Sequence, residues 1–347
     1  MRITALPITI AAAAAAFVLL VPFSAEALGV TISWSTVGDP GNAPDPATDG
    51  LCGAVNYVYD IGTYDVTTGQ YTALLNAVAA SDPYGLYYSG MATDLPTAGI
   101  ARSGSAGSYS YSVIGNPNMP AFDTSWGDAA RMANWMQNGQ PNGAEGMGTT
   151  ETGAYTLNGA TSNANLMAVT RNTTATIFIP SEDEWYKAAY FNPANGSYWV
   201  YPTQSRTTLS NVLSASGTSN ANYYNDFASG NAAYTDPINL LTPVGTFAGS
   251  PGPYGTYDMG GDVFQWNEAV VTDSTRGLRG GSWNDNDFAL ASTTRYDGLG
   301  DPTYNNDFIG FRLASLPAPA STPEPGALSL LACGCAVLFP ALRRLRL

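Results

Sequence analysis

The chain has 347 residues, of which 13 are basic and 27 acidic, and its formal net charge is −14. This acidity argues against binding nucleic acid through charge, and it suits an extracellular protein that could recruit divalent cations. There is no histidine, and only Cys52 lies outside the terminal segments, so a Ser-His-Asp triad, a Cys-His pair, a histidine-ligated metal and a disulfide within the body are all excluded.

The N-terminus has the pattern of a secretory signal peptide. Arg2 precedes an apolar run over residues 11–22, and Ala25-x-Ala27 places small residues at a cleavage site. A permanent membrane anchor is the alternative, but the apolar run is short for one. We therefore expect residues 1–27 to be removed on export.

Between the two ends of the chain, the composition predicts one large domain. Residues 28–50 are rich in Gly, Pro, Asp and Thr and predict an extended lead-in to a domain over residues 51–316. β-type residues predict a strand within 55–66. The polar, Gly-rich stretch 142–170 predicts a surface loop around a short strand, and residues 195–229 predict packed irregular loops.

Three capping boxes predict three short helices. In each, a Ser or Thr is followed three residues later by Gln, Asp or Glu, a pattern that satisfies free amides at a helix start, and apolar residues follow at helical spacing. The boxes are Thr67–Gln70, Ser125–Asp128 and Ser181–Glu184, with helix ends expected near Ala80, Gly139 and Tyr190.

The only lysine of the chain, Lys187, falls on the third predicted helix. A lysine nucleophile needs desolvation or a cationic neighbour to lower its pKa. Asp183 and Glu184 stand close to it in sequence and would raise its pKa instead. We therefore expect a solvated helix lysine without a catalytic role.

Residues 243–312 alternate glycines with aromatic residues, a pattern typical of a compact core built from irregular loops. This stretch contains GTYDMGGDVFQW, then LRGGSW, then GFR. The order of these motifs resembles the formylglycine-generating (sulfatase-modifying factor) family. The resemblance implies an α+β fold: an irregular, loop-rich, C-type-lectin-like single domain, here with about three short helices.

The same resemblance implies up to two calcium sites, and calcium prefers oxygen ligands in an irregular shell. The first site would use the side chains of Asn222 and Asp236 with the carbonyls of Tyr223 and Ile238. The alternative is that Asn222 and Asp236 only cap turns.

The second implied calcium site maps onto the loop that enters the core. It would use Asp258, the carbonyls of Gly261 and Val263, and Gln265. Because Gln265 replaces a carboxylate, we expect weaker binding there than in the family. The alternative is that Asp258 only makes loop hydrogen bonds.

The catalytic centre is where the chain departs from the family pattern. The formylglycine-generating enzyme binds copper through two cysteines after its Gly-Gly-Ser-aromatic motif, and soft thiolates suit Cu(I). The two positions hold Asp285 and Leu290 here. We therefore expect no copper and no catalytic residues. An oxidoreductase with another metal arrangement is the alternative.

Arg279 and Arg312 lie inside the family motifs, and we expect them to form buried ion pairs that hold the loops. The loop between Asn284 and Asn306 would then display the ligand-binding residues of a non-catalytic protein. The candidate contacts are Tyr296, Tyr304, Asn305 and Asn306. The alternative is that these side chains only pack the domain.

The C-terminus combines Thr322-Pro-Glu-Pro325, an apolar run over residues 326–342 and closing arginines. This combination resembles the PEP-CTERM sorting signal of Gram-negative bacteria. The resemblance implies a sorting segment over residues 317–347, transient membrane anchoring by 326–342, an exosortase-type partner, and a final place at the cell surface or outside the cell. Extracellular polysaccharide or a surface protein would be the ligand, and an ordinary C-terminal anchor is the alternative.

Overall fold

The computed structural model describes residues 29–207, 209–226, 233–296 and 298–317. The predicted signal peptide, and all of the predicted sorting segment except residue 317, lie outside these ranges. Within them, no helix is both long enough and apolar enough to cross a membrane.

The described residues form four helices and eleven short strands. The helices are α1 (Thr68–Val78), α2 (Trp126–Gln137), α3 (Asn163–Met167) and α4 (Glu182–Tyr190). The strands are β1 (Trp34–Val37), β2 (Tyr59–Gly62), β3 (Gly99–Ser103), β4 (Ser110–Ile114), β5 (Ile177–Phe178), β6 (Phe191–Asn192), β7 (Ser197–Tyr198), β8 (Phe264–Thr272), β9 (Thr275–Arg279), β10 (Ile309–Gly310) and β11 (Ala314–Ser315).

The three predicted helices are confirmed, because all three capping boxes are formed. Thr67, Ser125 and Ser181 each accept a hydrogen bond from the backbone amide three residues on, and the side chain at that position reaches back to the cap amide. α3 was not expected, since it lies in the segment predicted to be a loop around a strand. Ser162 caps it by accepting from the amide of Asn165.

The strands form four small sheets, of which two are the pairs β3-β4 and β6-β7 and two are larger. One has the order β1-β2-β11-β5 with antiparallel neighbours, and the other has the order β10-β8-β9. β10 runs parallel to β8, and β9 antiparallel to it. β1 belongs to the predicted lead-in, so this part of the lead-in is a sheet edge that pairs with β2.

Three tryptophans lie in the core between the helices and these sheets, each with its indole nitrogen satisfied, as large buried amphipathic rings require. Trp126 donates to the carbonyl of Asn267, Trp266 to that of Thr124, and Trp185 to the side chain of Gln265. All three are fully buried. These three bonds therefore tie α2 and α4 to β8, the strand that begins within the core motif.

Candidate functional site

Arg312, in the Gly-Phe-Arg motif, contacts several loops of the core at once. It is fully buried and forms an ion pair with Asp65 at 3.1 Å. Its guanidinium also donates to Gln265 Oε1 at 2.6 Å and to the carbonyls of Tyr257 and Asp258 at 3.0 and 3.1 Å. Because five donors in a rigid fork can join several loops at once, Arg312 has the loop-holding role expected for it.

Arg279 has the same kind of role on the other side of the core. It is buried and pairs with Glu182, at the start of α4, at 2.7 Å. It also donates to the carbonyls of Ser292 and Thr294. The segment that follows the Gly-Gly-Ser-Trp motif is therefore tied to α4 through this guanidinium.

The second predicted calcium site contains one unused oxygen. Asp258 Oδ2 accepts from the amide of Gly245 at 2.7 Å, whereas Oδ1 is buried and has no hydrogen-bond partner among the described residues. Gln265 is already engaged, because its amide nitrogen donates to the carbonyl of Asp258 and its oxygen accepts from Trp185 and Arg312. Asp258 is therefore the side chain of this set that fits a cation.

The first predicted calcium site also contains an unused oxygen. Asn222 is buried and donates through Nδ2 to Asp262 and to the carbonyl of Leu240, while its Oδ1 has no hydrogen-bond partner within the described part of the chain. Its neighbour in this set, the Tyr223 carbonyl, accepts from the hydroxyl of Thr235 at 3.2 Å. Because buried polar atoms are normally paired, the unpaired Oδ1 of Asn222 fits the role of a cation ligand.

Asp236 of the same set caps a turn. Its carboxylate accepts from the amides of Ile238 and Asn239 and from the Asn239 side chain. Burial opposes ionisation, but these hydrogen bonds outweigh it and lower the pKa of Asp236. The Ile238 side chain is 70% exposed, so this half of the first site lies at the surface.

The structure brings the two predicted sites together through Asp262, a residue that the sequence interpretation missed. Asn222 pairs with Gly261 in a parallel bridge, and Asp262 accepts from Asn222 and Thr242. Burial raises the pKa of both Asp258 and Asp262, and repulsion between the two carboxylates adds to the rise at Asp262. The signal available in the sequence was the second aspartate of the stretch Asp258-Met-Gly-Gly-Asp262.

The residues described contain no group of three or more His, Cys, Asp or Glu side chains placed to hold a metal ion. The two predicted calcium sites instead rely on amide, carbonyl and single carboxylate oxygens, all of which calcium accepts.

Leu290, which the resemblance implies stands at a copper position, is a core residue. It ends a 3-10 turn over Asp287–Leu290 and is fully buried. Gly281 has a φ of 70°, and a Cβ on it would lie 2.6 Å from Leu290 Cδ1. The leucine therefore fills the space against the Gly-Gly-Ser-Trp motif, and no atom of its side chain can ligate a metal.

Asp285, the other position that the resemblance implies for copper, forms hydrogen bonds within its own turn. Its carboxylate accepts a hydrogen bond from the hydroxyl of Ser282, and its carbonyl accepts from the amide of Tyr224 at 2.7 Å. Burial raises the pKa of Asp285. The pair of positions thus presents one carboxyl group and one aliphatic side chain.

The four predicted ligand contacts are placed differently. Tyr304 is 37% exposed, and its hydroxyl accepts from the Asn306 side chain at 3.1 Å, so these two meet at the surface. Asn305 instead donates inward, to the carbonyl of Asp123 and to Asp128. Tyr296 packs its ring against Phe264, with centroids 4.9 Å apart.

A cavity of about 500 Å³, lined partly by Ser292 and Thr293 of the predicted display loop, was not found from the sequence. Trp199 and Arg206 line it too, and the Arg206 guanidinium stacks on the indole, 4.9 Å from the ring centre. Arg206 also donates to the hydroxyl of Ser197 at 2.7 Å. A guanidinium held in this way is oriented before any ligand arrives.

The expectation of a solvated Lys187 was wrong. Lys187 is fully buried, and its Nζ donates to the carbonyl of Asp39 at 2.7 Å. Burial lowers the pKa of Lys187 to about 8, against the opposing effect of Asp39. The lysine therefore anchors the loop after β1 to α4.

Fold and motifs together define a mixed α+β, loop-rich domain of the formylglycine-generating type. The chain belongs to the family of sulfatase-modifying factor enzyme 1-like domains, whose model matches residues 55–316.

Three solved structures resemble the chain at low identity. CarF is 19% identical, covers 83% of this chain and 99% of its own, and has a TM-score of 0.46. The variable protein 1 of Treponema denticola is also 19% identical, covers 83% and 96%, and has a TM-score of 0.49. PvdO of Pseudomonas aeruginosa is 19% identical, covers 82% and 92%, and has a TM-score of 0.43. No curated protein matches the chain by sequence.

Proposed function

We propose that the chain is an exported, non-catalytic member of this family that binds a ligand at the cell surface or in the extracellular matrix. The observation that carries the proposal is Leu290, an aliphatic side chain buried where the family places a copper ligand. Oxygen activation on Cu(I) needs both thiolates. Asp285 alone supplies one hard oxygen donor, which does not suit that metal.

Calcium would serve this protein as a structural ion. Asn222 Oδ1 and Asp258 Oδ1 are the two side-chain oxygens that would hold it, since both are buried without a partner among the described residues. The carbonyls of Tyr223, Gly261 and Val263 would complete the shells. A bound ion would fix the loops that lead to the Gly-Gly-Ser-Trp motif.

The proposed ligand is an extracellular polysaccharide, taken up at the cavity that contains Trp199 and Arg206. Aromatic faces and oriented polar side chains are the usual means of fixing such ligands. Export would follow from the N-terminal signal, and surface sorting from the PEP-CTERM-like segment, with residues 326–342 as the transient anchor and an exosortase-type enzyme as the processing partner.

Activity assays test the non-catalytic part of the proposal. The mature domain is mixed with Cu(I), oxygen and a cysteine-containing sulfatase peptide, and the peptide mass is followed. We expect no formylglycine product and no oxygen consumption above that of the peptide with free copper. Formylglycine formation would overturn the proposal in favour of an oxidoreductase with another metal arrangement.

A glycan array tests the binding part, with Trp199→Ala as the probe variant. We expect selective binding of wild-type protein to one class of polysaccharide, reduced at least about tenfold in the variant, as loss of an aromatic contact of about 1.4 kcal/mol would give. Trp34→Ala is the matched control, because Trp34 is 36% exposed on β1 and does not line this cavity. Equal binding by both variants would remove the cavity from the proposal.

A further inference from the structure

Glu145 is a buried carboxylate whose oxygens are unused. The residue is 7% exposed, and both Oε1 and Oε2 lack a hydrogen-bond partner among the described residues. Asp82 has the same feature at one atom, because its Oδ1 is buried without a partner there. A buried, unpaired carboxylate is costly unless it takes up a proton or a cation.

Both carboxylates lie near the C-terminal end of α1. Asp82 follows the helix cap Ala79 by three residues, and the loop that carries Glu145 attaches to α1 through Gly143, whose amide donates to the carbonyl of Ala77 at 3.0 Å. The C-terminal end of a helix carries partial negative charge. The last turn of α1 has no basic residue to offset it.

The two arginines in this region, Arg131 and Arg102, donate to other acceptor atoms. Arg131 gives Nε and Nη2 to Glu151, at 2.7 and 3.3 Å, and is buried with it. Arg102 donates to Asp82 Oδ2 at 3.1 Å, and its guanidinium stacks on the rings of Tyr87 and Tyr109. Neither donates a hydrogen bond to Glu145 or to Asp82 Oδ1.

The groups that face Glu145 leave the region negatively charged. Asp82, Glu151 and Asp128 act on it with negative charge, and Arg131 with positive charge. Burial first, and then Asp82, raise the pKa of Glu145 to about 8. The hydroxyls of Tyr71 and Tyr111 face the same groups but donate to the carbonyls of Leu86 and Ala79, so they do not satisfy the carboxylate.

We propose that Glu145 and Asp82 bind a hydrated divalent cation, with calcium the best fit, that ties the loop over residues 142–150 to the C-terminal end of α1. Three unused carboxylate oxygens from two loops supply charge and ligands, and water and backbone carbonyls complete the irregular shell that calcium tolerates. The site is separate from the two predicted calcium sites, which share none of its residues.

Calcium titration of the mature chain by calorimetry tests this site. Glu145→Gln keeps the shape of the side chain and removes its charge, and Asp82→Asn suits the left-handed backbone at that position, where φ is 51°. We expect each variant to bind one calcium ion fewer than the wild type, and the double variant to lose no more than either. Asp273→Asn, an exposed acid between β8 and β9, is the matched control and should leave the number unchanged.

Two measurements separate the cation from its alternative, a protonated Glu145. In calcium, the wild type and Glu145→Gln should show the same protonated carboxyl bands in the infrared spectrum, because Glu145 is then ionised. Far-UV circular dichroism should confirm that the variants fold. An unchanged calcium number in both variants would overturn the proposal, as would a protonated band that persists in saturating calcium and disappears in Glu145→Gln.

Discussion

Asp123 is another carboxyl group that lies buried in the fold. It is fully buried, and neither carboxylate oxygen has a hydrogen-bond partner within the described residues. Burial, followed by repulsion from Asp94 and Asp307, raises the pKa of Asp123 to about 8. Its backbone adopts a φ of 55°, which Asn tolerates as well as Asp does.

Asp123→Asn should therefore stabilise the protein at alkaline pH. At pH 4, near the ordinary pKa of an aspartate, little stability has yet been lost to ionisation of the unfolded state, and the change should be small. At pH 9 it is ionised, and removing the charge should raise the free energy of unfolding by about 1–3 kcal/mol. Urea denaturation at the two pH values measures this. Asp49→Asn is the matched control, because Asp49 is exposed with the same φ of 55°, and an equal gain there would refute the explanation.

Lys187 shows why such residues escape sequence analysis. Neighbours in sequence suggested carboxylates around the ammonium group, but its hydrogen-bond partner is the carbonyl of Asp39, 148 residues away. Asp262 was missed for the same reason, because its partners Asn222 and Thr242 come from other loops. Local patterns cannot specify contacts that only long irregular loops create.

At the scale of elements, helix starts were predictable because a capping box is a local device. The hydroxyl of Ser125 both accepts from the amide of Asp128 and donates to its carboxylate, and all of these atoms are buried. The strands were less predictable. β5, β6, β7, β10 and β11 have two residues each, too few for any alternation to show.

Ser125→Ala should test how much the α2 cap contributes. The substitution removes a hydrogen bond to the Asp128 amide, and it leaves a buried carboxylate with one donor fewer. We expect a loss of about 1–2 kcal/mol in the free energy of unfolding, read from urea denaturation. Ser162→Ala is the matched control: it removes the cap of the five-residue helix α3, whose cap lies at an exposed site. A smaller loss at Ser125 than at Ser162 would show that burial does not strengthen the cap.

At the scale of the whole molecule, buried acidic groups make the folded state less stable as the pH rises, which is the reverse of the usual effect of carboxylates on stability. Asp123, Glu145, Asp258 and Asp262 all have raised pKa values in the folded state, with burial as the first cause. Glu182 and Glu184 go the other way: burial opposes ionisation, but hydrogen bonds and charges from arginines outweigh it and lower their pKa. The metal-free protein should therefore be most stable at mildly acidic pH.

The sign follows from proton uptake. A carboxyl group whose folded pKa exceeds its unfolded value contributes stability that is complete below the unfolded pKa and is lost as the pH rises through the folded pKa. For Asp123 and Glu145, with a folded pKa of about 8, the loss falls between about pH 4, the ordinary carboxyl value, and about pH 8. Lys187, whose pKa is lowered by burial, contributes a pH dependence of stability with the opposite sign. This single group is outweighed by the several carboxyl groups.

Melting experiments in chelator and in calcium should show this balance. In chelator we expect the melting temperature to fall by several degrees between pH 6 and pH 8.5, because each kcal/mol shifts it by about 2 °C in a domain of this size. Calcium should raise it, and more at pH 8.5 than at pH 6, since the carboxylates bind a cation only when deprotonated. Matched ionic strength controls for screening. A melting temperature that is the same in chelator and in calcium at pH 8.5 would remove calcium from this protein, and with it the explanation for the unused oxygens of Asn222 and Asp258.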